Sequence, residues 1–503
     1  MDHRVDEDIT QSEQRPLIVD KPGIDALDAY QFNLTTVLDL LKRRDLEYFV
    51  ERSTWGMQPV IGLSESGAAT LIADLRSESA LRPVSITLRG RAGSITKLPI
   101  QEIPHELLHP DAQTNFVVFT ELREDETRRR FGEAYGCVVD VWGDASGELR
   151  KQRPLVPTTP LVPADVRVRP QPTTVLGQDA VTYRPFDRPS TFDVDFPVDL
   201  VIYWVDGADR RWRKRKAKRA RDTGAEYGEE PELDYRYRQF DELRYALRSV
   251  ERFAPWVQRI FLVTDGQRPH WLDERDTNLE VIDHTQILPE SALPTFNPRA
   301  ITACLHRIPG LADHFLYLND DVLFGRPTPL SRFFRSNGVS QFFLSKSLLA
   351  PTPGTDLEKA RNRTADLTES LVGIRPSQLL KHTPHALHRP LLAELEIEVG
   401  EAWERTIHSP FRSAGDVIPE YLHHHVAYAR RMAAPGPVSY GYFALGQPEG
   451  TKALRMYPST EPSEVLCVND LGASADQLER DSVFLHEFLV GQWPKPSRYE
   501  RAG

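Results

Sequence analysis

The chain has 503 residues, too many for one hydrophobic core, so two or three domains are expected. Hydrophobic residues make up 40% and charged residues 27%, as in soluble globular proteins, and a formal net charge of −11 argues against a protein built to coat nucleic acid. Three scattered cysteines, Cys137, Cys304 and Cys467, with no Cys-x-x-Cys pair, argue against a disulfide framework and a cysteine zinc site. No apolar run approaches a membrane span of about 18 residues. The opening Met1 to Asp8 lacks the apolar core of a secretory signal, so a reducing, cytoplasmic setting is expected.

In chain order, residues 1–28 are polar and expected to be loosely ordered. A small α/β accessory domain is expected over 29–149. Its elements are a helix over 32–49, strands at 84–88 and 114–120, a helix over 123–135 and a strand at 137–142. No catalytic constellation appears in it. Residues 150–191 carry Pro154, Pro157, Pro160, Pro163, Pro170 and Pro172, a composition that predicts an extended linker.

The second domain, 192–503, has a βαβ rhythm. Strands are expected at 198–205, 259–264, 279–282 and 315–318, with helices at 241–254 and 298–307. Each strand delivers an acid just past its carboxyl end: Asp206, Asp265, Asp283 and the pair Asp320-Asp321. Ligands of open α/β sheets bind at that edge, so these distant residues can share one crevice. Asp-Gly is also a common turn, which is the preferred reading for Asp265; a ligand role is preferred for Asp206 and the pair. Two carboxylates about 4 Å apart repel by roughly 1 to 4 kcal/mol. A divalent cation relieves that repulsion, and oxygen donors suit Mg²⁺ or Mn²⁺.

Nine of the twelve residues over 210–221 are basic. The run fits a solvated helix face, an anionic acceptor or phosphate-rich substrate, or peripheral contact with an anionic inner membrane face; no recognition motif for nucleic acid accompanies it. His382-Thr383-Pro384-His385 follows an expected helix end, in a loop where an imidazole can act as general base. Arg412 can clamp a phosphate with two hydrogen bonds. His423, His424 and His425 fall on an expected helix, where consecutive side chains diverge by about 100°, so they are read as structural. Asn469-Asp470 is a second carboxamide–carboxylate pair near the end of the chain.

Four blocks together resemble the Stealth family. They are 196–207, ending in Trp204-Val205-Asp206-Gly207; the long run from Asp241 through Val263-Thr264-Asp265-Gly266-Gln267 to Asn319-Asp320-Asp321-Val322; His382-Thr383-Pro384-His385; and Cys467-Val468-Asn469-Asp470 with the tail from Trp493 to Glu500. Leu471-Gly472 stands where the family more often has a polar or acidic residue, and Trp493 where Phe is more usual. The resemblance covers about 192–500 and implies a Rossmann-like or GT-A-like catalytic domain. It implies transfer of a hexose 1-phosphate, such as N-acetylglucosamine 1-phosphate, from a nucleotide-sugar donor to a hydroxyl of a polysaccharide or glycan acceptor, with a nucleoside monophosphate leaving. On that reading Asp206, Asp321, His382, His385 and Arg412 are catalytic, either histidine serving as base. Asp320, Asp321, Asn469 and Asp470 would hold Mg²⁺ or Mn²⁺. Glu242, Arg244, Asn362 and Arg363, with neighbouring Arg361, would bind substrate. The alternative is a nucleotide-sugar glycosyltransferase that releases a nucleoside diphosphate.

Overall fold

The structure is a computed structural model that describes residues 18–51, 57–80, 82–90, 95–103, 113–151, 161–188, 191–223, 237–275, 277–457, 462–470, 472 and 475–501. The chain packs as two units, Met1–Arg188 and Pro189–Gly503.

In the first unit, a mixed eight-stranded sheet carries the helices Ala26–Arg43 and Glu65–Ser77. Their apolar stripes (Leu34, Val37, Leu41, Leu71, Leu75) bury against Ile61, Leu63 and Val139. Asp25 starts the first helix: its carboxylate accepts the Leu27 and Asp28 N–H groups, and Asp28 returns the bond. That cap sets the start at Ala26, and the helix ends at Arg43, short of the expected Phe49. Phe49 belongs to the strand Tyr48–Glu51.

Three expectations fail here. The helix expected over 123–135 is a strand, a turn and a strand. Glu121–Arg123 pairs in parallel with Ile18–Asp20, and Arg130–Phe131 folds back on it. Glu124 closes the turn by accepting the Thr127 N–H and hydroxyl. Strand pairing at 18–20 and the cap at Asp25 also give order to part of 1–28, whose first 17 residues lie outside the described set. The proline-rich stretch 150–191 is not an extended linker over its described part. Gln171–Val175 and Gln178–Thr182 form a hairpin turned by Leu176 (φ 50°) and Gly177 (φ 76°), as a two-residue hairpin of this hand requires. The Thr182 hydroxyl bonds Val50 O at 2.7 Å, and buried Tyr183 bonds Glu47 at 2.7 Å. The β-branched residues Thr173, Thr174, Val175, Val181 and Thr182 outweigh the prolines: Pro172 sits on the hairpin and Pro163 at a short helix start, while Pro154, Pro157 and Pro160 lie outside the described residues.

The second unit is built on a five-stranded sheet and has the expected α/β, Rossmann-like character. The elements that frame its site are β1 (Val198–Tyr203), α1 (Arg210–Asp222), α2 (Glu242–Phe253), β2 (Ile260–Thr264), β3 (Leu279–Asp283), α3 (Pro298–Ala303), β4 (His314–Asn319), β5 (Val322–Phe324), α4 (Asp356–Val372), β6 (His385–His388), α5 (Pro419–Ala429), β7 (Tyr440–Leu445) and β8 (Val465–Asp470). The order is β3-β2-β1-β4-β6, parallel except for β6. β1, β2 and β4 are near-continuous buried apolar runs, as strands covered on both faces must be. The strand order reverses between β1 and β4, so a crevice opens at their carboxyl ends.

Asp320 and Asp321 form the turn between β4 and β5. β5 leaves the main sheet and pairs with β8, Val322 opposite Cys467, and the Val468 N–H bonds Asp321 O at 3.1 Å. This second small sheet brings the late pair Asn469-Asp470 to the end of β4. Arg248 on α2 grips the Glu500 carboxylate through two 2.7 Å bonds and ties down the tail. Among the described residues, no helix is long and apolar enough to cross a membrane.

Candidate active site

A cavity of about 570 Å³ lies at the carboxyl ends of β1, β2 and β4, within the size range of small-molecule sites. Of the residues singled out from the sequence, Glu242, Asp320, Asp321, His382, His385, Arg412, Asn469 and Asp470 line it.

The acidic wall comes from β4 and α2. Asp320 accepts a 3.3 Å bond from Gln239 Nε2, and Trp204 Nε1 donates to Gln239 Oε1 at 2.8 Å, which fixes the amide. Burial, and then the charge of Asp321, push the Asp320 carboxyl up to about 7. Glu242 opens α2 directly after Asp241, which stands at φ 70°, a left-handed conformation uncommon for aspartate. Its carboxylate accepts the Phe240 N–H at 2.6 Å and is pushed up to about 8 by burial, then by Asp320. Glu242, Asp320 and Asp321 thus crowd one region of the cavity wall.

His382 stands against Asp321, its Nε2 3.3 Å from Oδ1. Tyr317 donates to Asn319 Oδ1 at 2.9 Å, so the Asn319 amide presents Nδ2 to the same His382 nitrogen at 2.8 Å. Burial alone would lower the His382 pKa, but Asp321, by charge and hydrogen bond, and then Glu420 outweigh it, and the net shift is upward. His385 is pushed down to about 3 by burial and then His382, so it stays neutral. His424 Nε2 lies 3.2 Å from His385 Nδ1, and His424 Nδ1 is buried without a hydrogen-bond partner. An orphaned acceptor costs less than an orphaned N–H, so His424 donates from Nε2 and His385 carries its own proton on Nε2. His423 accepts the His388 N–H at 2.9 Å. His423 and His424 of α5 therefore buttress β6, while His425 packs against Tyr421 and Phe342.

One donor atom each from Asp321, His382 and Cys467 lies within 4.8 Å of the others. Burial, then Asp321, hold the Cys467 thiol well above its usual range, and it donates to Asp321 Oδ2 at 3.5 Å. The thiol is therefore a hydrogen-bond donor to Asp321 in this arrangement. Asp470 is bound by Arg238 at 3.2 Å, and Asn469 Nδ2 donates to the Tyr442 hydroxyl at 3.0 Å.

The basic wall is Arg299, Arg361, Lys381 and Arg412. Arg299 is held by Asp416 and Ser413 O at 3.1 and 3.0 Å. Arg361 is half-buried on α4 and makes no ion pair or hydrogen bond with any described residue; burial, then Arg299, lower its pKa. A desolvated guanidinium of this kind calls for an anion.

Four residues expected at the site stand elsewhere. Asp206 does not line the cavity: its Oδ1 accepts the Ala208 N–H at 2.8 Å, an Asx turn. Arg244 pairs with Asp241 at 2.9 Å and Glu500 at 3.5 Å and stacks on Trp271, bracing the fold. Asn362 donates to Ala350 O and Glu358 O at 3.0 and 3.1 Å, and Arg363 is exposed. Conversely Asp265, read as a turn, lines the cavity, paired with Arg215 at 2.8 Å and 3.4 Å from His284 Nε2. Residues 381–384 follow a short strand, Gln378–Leu380, where a helix end was expected, and His385 begins β6, paired with Tyr317 of β4, rather than standing in the loop. Sequence reasoning missed Arg238, Gln239, Arg299 and Glu420; no local pattern marks them, because tertiary packing alone brings them to the cavity.

Comparison with known proteins identifies the family. Residues 236–342 match Stealth protein CR2, conserved region 2, and residues 381–428 match Stealth protein CR3, conserved region 3. The exopolysaccharide phosphotransferase SCO6023 of Streptomyces coelicolor is 34% identical over 498 residues, covering 96% of this chain and 84% of that protein. The exopolysaccharide phosphotransferase CpsY of Mycobacterium tuberculosis is 29% identical, covering 95% and 90%. A solved galactosyltransferase, LgtC, overlays at 11% identity with a TM-score of 0.31, covering 60% of this chain and 98% of that one, too little overlap to bear on activity. Near-full-length identity to SCO6023, with both conserved regions lying on the cavity, places this chain in the Stealth family of exopolysaccharide phosphotransferases.

Proposed function

We propose that this enzyme transfers a hexose 1-phosphate, such as N-acetylglucosamine 1-phosphate, from a nucleotide-sugar to a hydroxyl of a polysaccharide or glycan, releases a nucleoside monophosphate, and depends on Mg²⁺ or Mn²⁺. The observation that carries the reading is the meeting of two opposite walls in one cavity. Glu242, Asp320 and Asp321 attract a cation, and Arg361 and Arg412 attract an anion. A pyrophosphate with its divalent ion needs both.

Asp320 and Asp321, with Asn469 and Asp470, are the residues suited to hold the ion. The fit rests on the Asp320 carboxyl, which burial and the adjacent charge of Asp321 push up to about 7 and which a cation would relieve. A bound divalent ion neutralises phosphate charge and stabilises the leaving monophosphate. Arg361 and Arg412 bind the transferring phosphoryl oxygens, so that charge is met by fixed donors. His382 is the base: Asp321, 3.3 Å from its Nε2, is placed to stabilise the imidazolium formed when the ring takes the acceptor proton. The acceptor oxygen attacks the β-phosphorus, and the bond to the bridging oxygen of the α-phosphate breaks. His385, neutral and protonated on Nε2, donates a hydrogen bond within the site.

The test is the nucleotide product. Protein, Mg²⁺ and a panel of nucleotide-sugars are incubated with glycan acceptors, and nucleotides are separated by chromatography. Monophosphate that disappears with Asp321→Asn is the expected result. Diphosphate release would replace this reading with glycosyl transfer.

A further inference from the structure

The cavity does not use the outward face of α1. The helix packs inward through Trp212 and Lys216, both buried; Trp212 lines the cavity, in edge contact with Phe296 at 5.3 Å, and Lys216 lies over the Tyr237 ring at 4.3 Å. Arg215 reaches the cavity residue Asp265. Opposite this inner face, Arg210, Lys214, Lys218 and Arg221 are exposed and recur at four, four and three residues, one stripe about 16 Å long.

Of the four, Lys218 alone has a carboxylate partner among the described residues, Asp222 at 3.4 Å. Like charges four residues apart weaken a helix, as do cations in its first turn, where Arg210 stands. The stripe therefore opposes the helix that carries it, in a protein of net charge −11. An anion laid along it would relieve both penalties.

We propose that this stripe binds the growing polymer product through its phosphodiesters, beside the cavity where the next unit is added. The inference rests on the transfer proposed above: a glycan extended by sugar 1-phosphate units gains one negative charge per unit, whereas its unextended acceptor need carry none. A chain so charged complements a row of cations one helix face wide. The contact holds the product near the cavity between additions, so long chains are favoured over many short ones.

The test uses the full chain with Arg210, Lys214, Lys218 and Arg221 all changed to Gln, a good helix former that removes charge. Binding is measured by calorimetry to a phosphodiester-linked oligosaccharide, to its phosphate-free counterpart, and to phosphatidylglycerol vesicles. Donor hydrolysis without acceptor is followed in parallel, and failure of the proposed transfer shows there in the nucleotide product and leaves the binding result standing. The expected result is binding of the phosphodiester oligosaccharide at least about 10-fold weaker in the variant at about 0.1 M salt, with a shallower salt dependence, unchanged donor hydrolysis, and shorter product chains. Equal oligosaccharide affinity in variant and wild type, or equal wild-type affinity for the phosphate-free glycan, overturns the proposal. Loss of vesicle binding with oligosaccharide binding retained also overturns it and assigns the stripe to a membrane surface.

Discussion

Each of the two units buries a cluster of charge, and the clusters are built oppositely. In the first unit Lys151 lies between Glu51, at 2.7 Å, and Asp140, while Trp142 donates to Glu51 at 2.7 Å. Every member faces another member, so the cluster is closed. In the second unit Glu242, Asp320 and Asp321 face a cavity, and Arg361 faces it with no partner among the described residues. Both clusters perturb carboxyl groups: Glu51 is pushed up to about 7, chiefly by burial and then by Asp140, much as Asp320 is. A shifted carboxyl therefore does not by itself mark a functional site. The open geometry does, since it leaves charges that only a ligand can complete.

The largest effect that would sharpen this contrast is at Asp321. Asp321→Asn should lower transfer by about 10³-fold or more, with several kcal/mol of charge stabilisation removed, while the unfolding midpoint stays near wild type. Substantial activity in the variant would break the contrast. Next is Arg361→Gln, which should cost about 10²-fold in kcat/KM, the order seen when one transition-state donor is deleted. Arg363→Gln, two residues along the same helix, should change kcat/KM less than about 2-fold. Equal losses at both would mean that α4 contributes only its fold.

That pair also marks how far the sequence could be read. It pointed to 361–363 as a group, but successive helix residues turn by about 100°, and only the helix phase in the folded unit decides that Arg361 faces inward. Asp320-Asp321 stood out because it ends a buried apolar run, where a charged pair has no packing reason to be, whereas Asn469-Asp470 was marked only as a second carboxamide–carboxylate pair, and the strand that carries it went unread. Asp206 looked the same and is a turn; the Asx bond to Ala208 is invisible without coordinates. Gln239 reaches Asp320 through an orienting bond from Trp204, and Arg299 through Asp416, relations between distant residues that no local pattern carries. The parallel sheet was readable from the βαβ rhythm, whereas the hairpin at 171–182 was hidden by the prolines around it, Pro170 and Pro172.

The closed cluster makes its own prediction. Glu51 has a folded pKa near 7, above its ordinary 4.5. The folded state therefore binds the proton more tightly, and its contribution to stability is complete below about pH 4.5 and lost as pH rises through about 7. The first unit should lose on the order of 1 to 3 kcal/mol from this group between pH 5 and 8, and Glu51→Gln should flatten that slope in chemical denaturation. A slope unchanged in the variant would remove Glu51 as its source. The smallest effect is at Thr182→Val, which deletes the bond to Val50 O and should cost about 1 kcal/mol. No change there would mean the hairpin adds little to its unit.

The central claim, that phosphorus moves with the sugar, is tested most directly by ³¹P NMR of the purified glycan product. The account predicts a phosphodiester resonance joining the transferred sugar to the acceptor, matched by nucleoside monophosphate in solution. A glycan that gains sugar and carries no phosphorus, with diphosphate released, would contradict it.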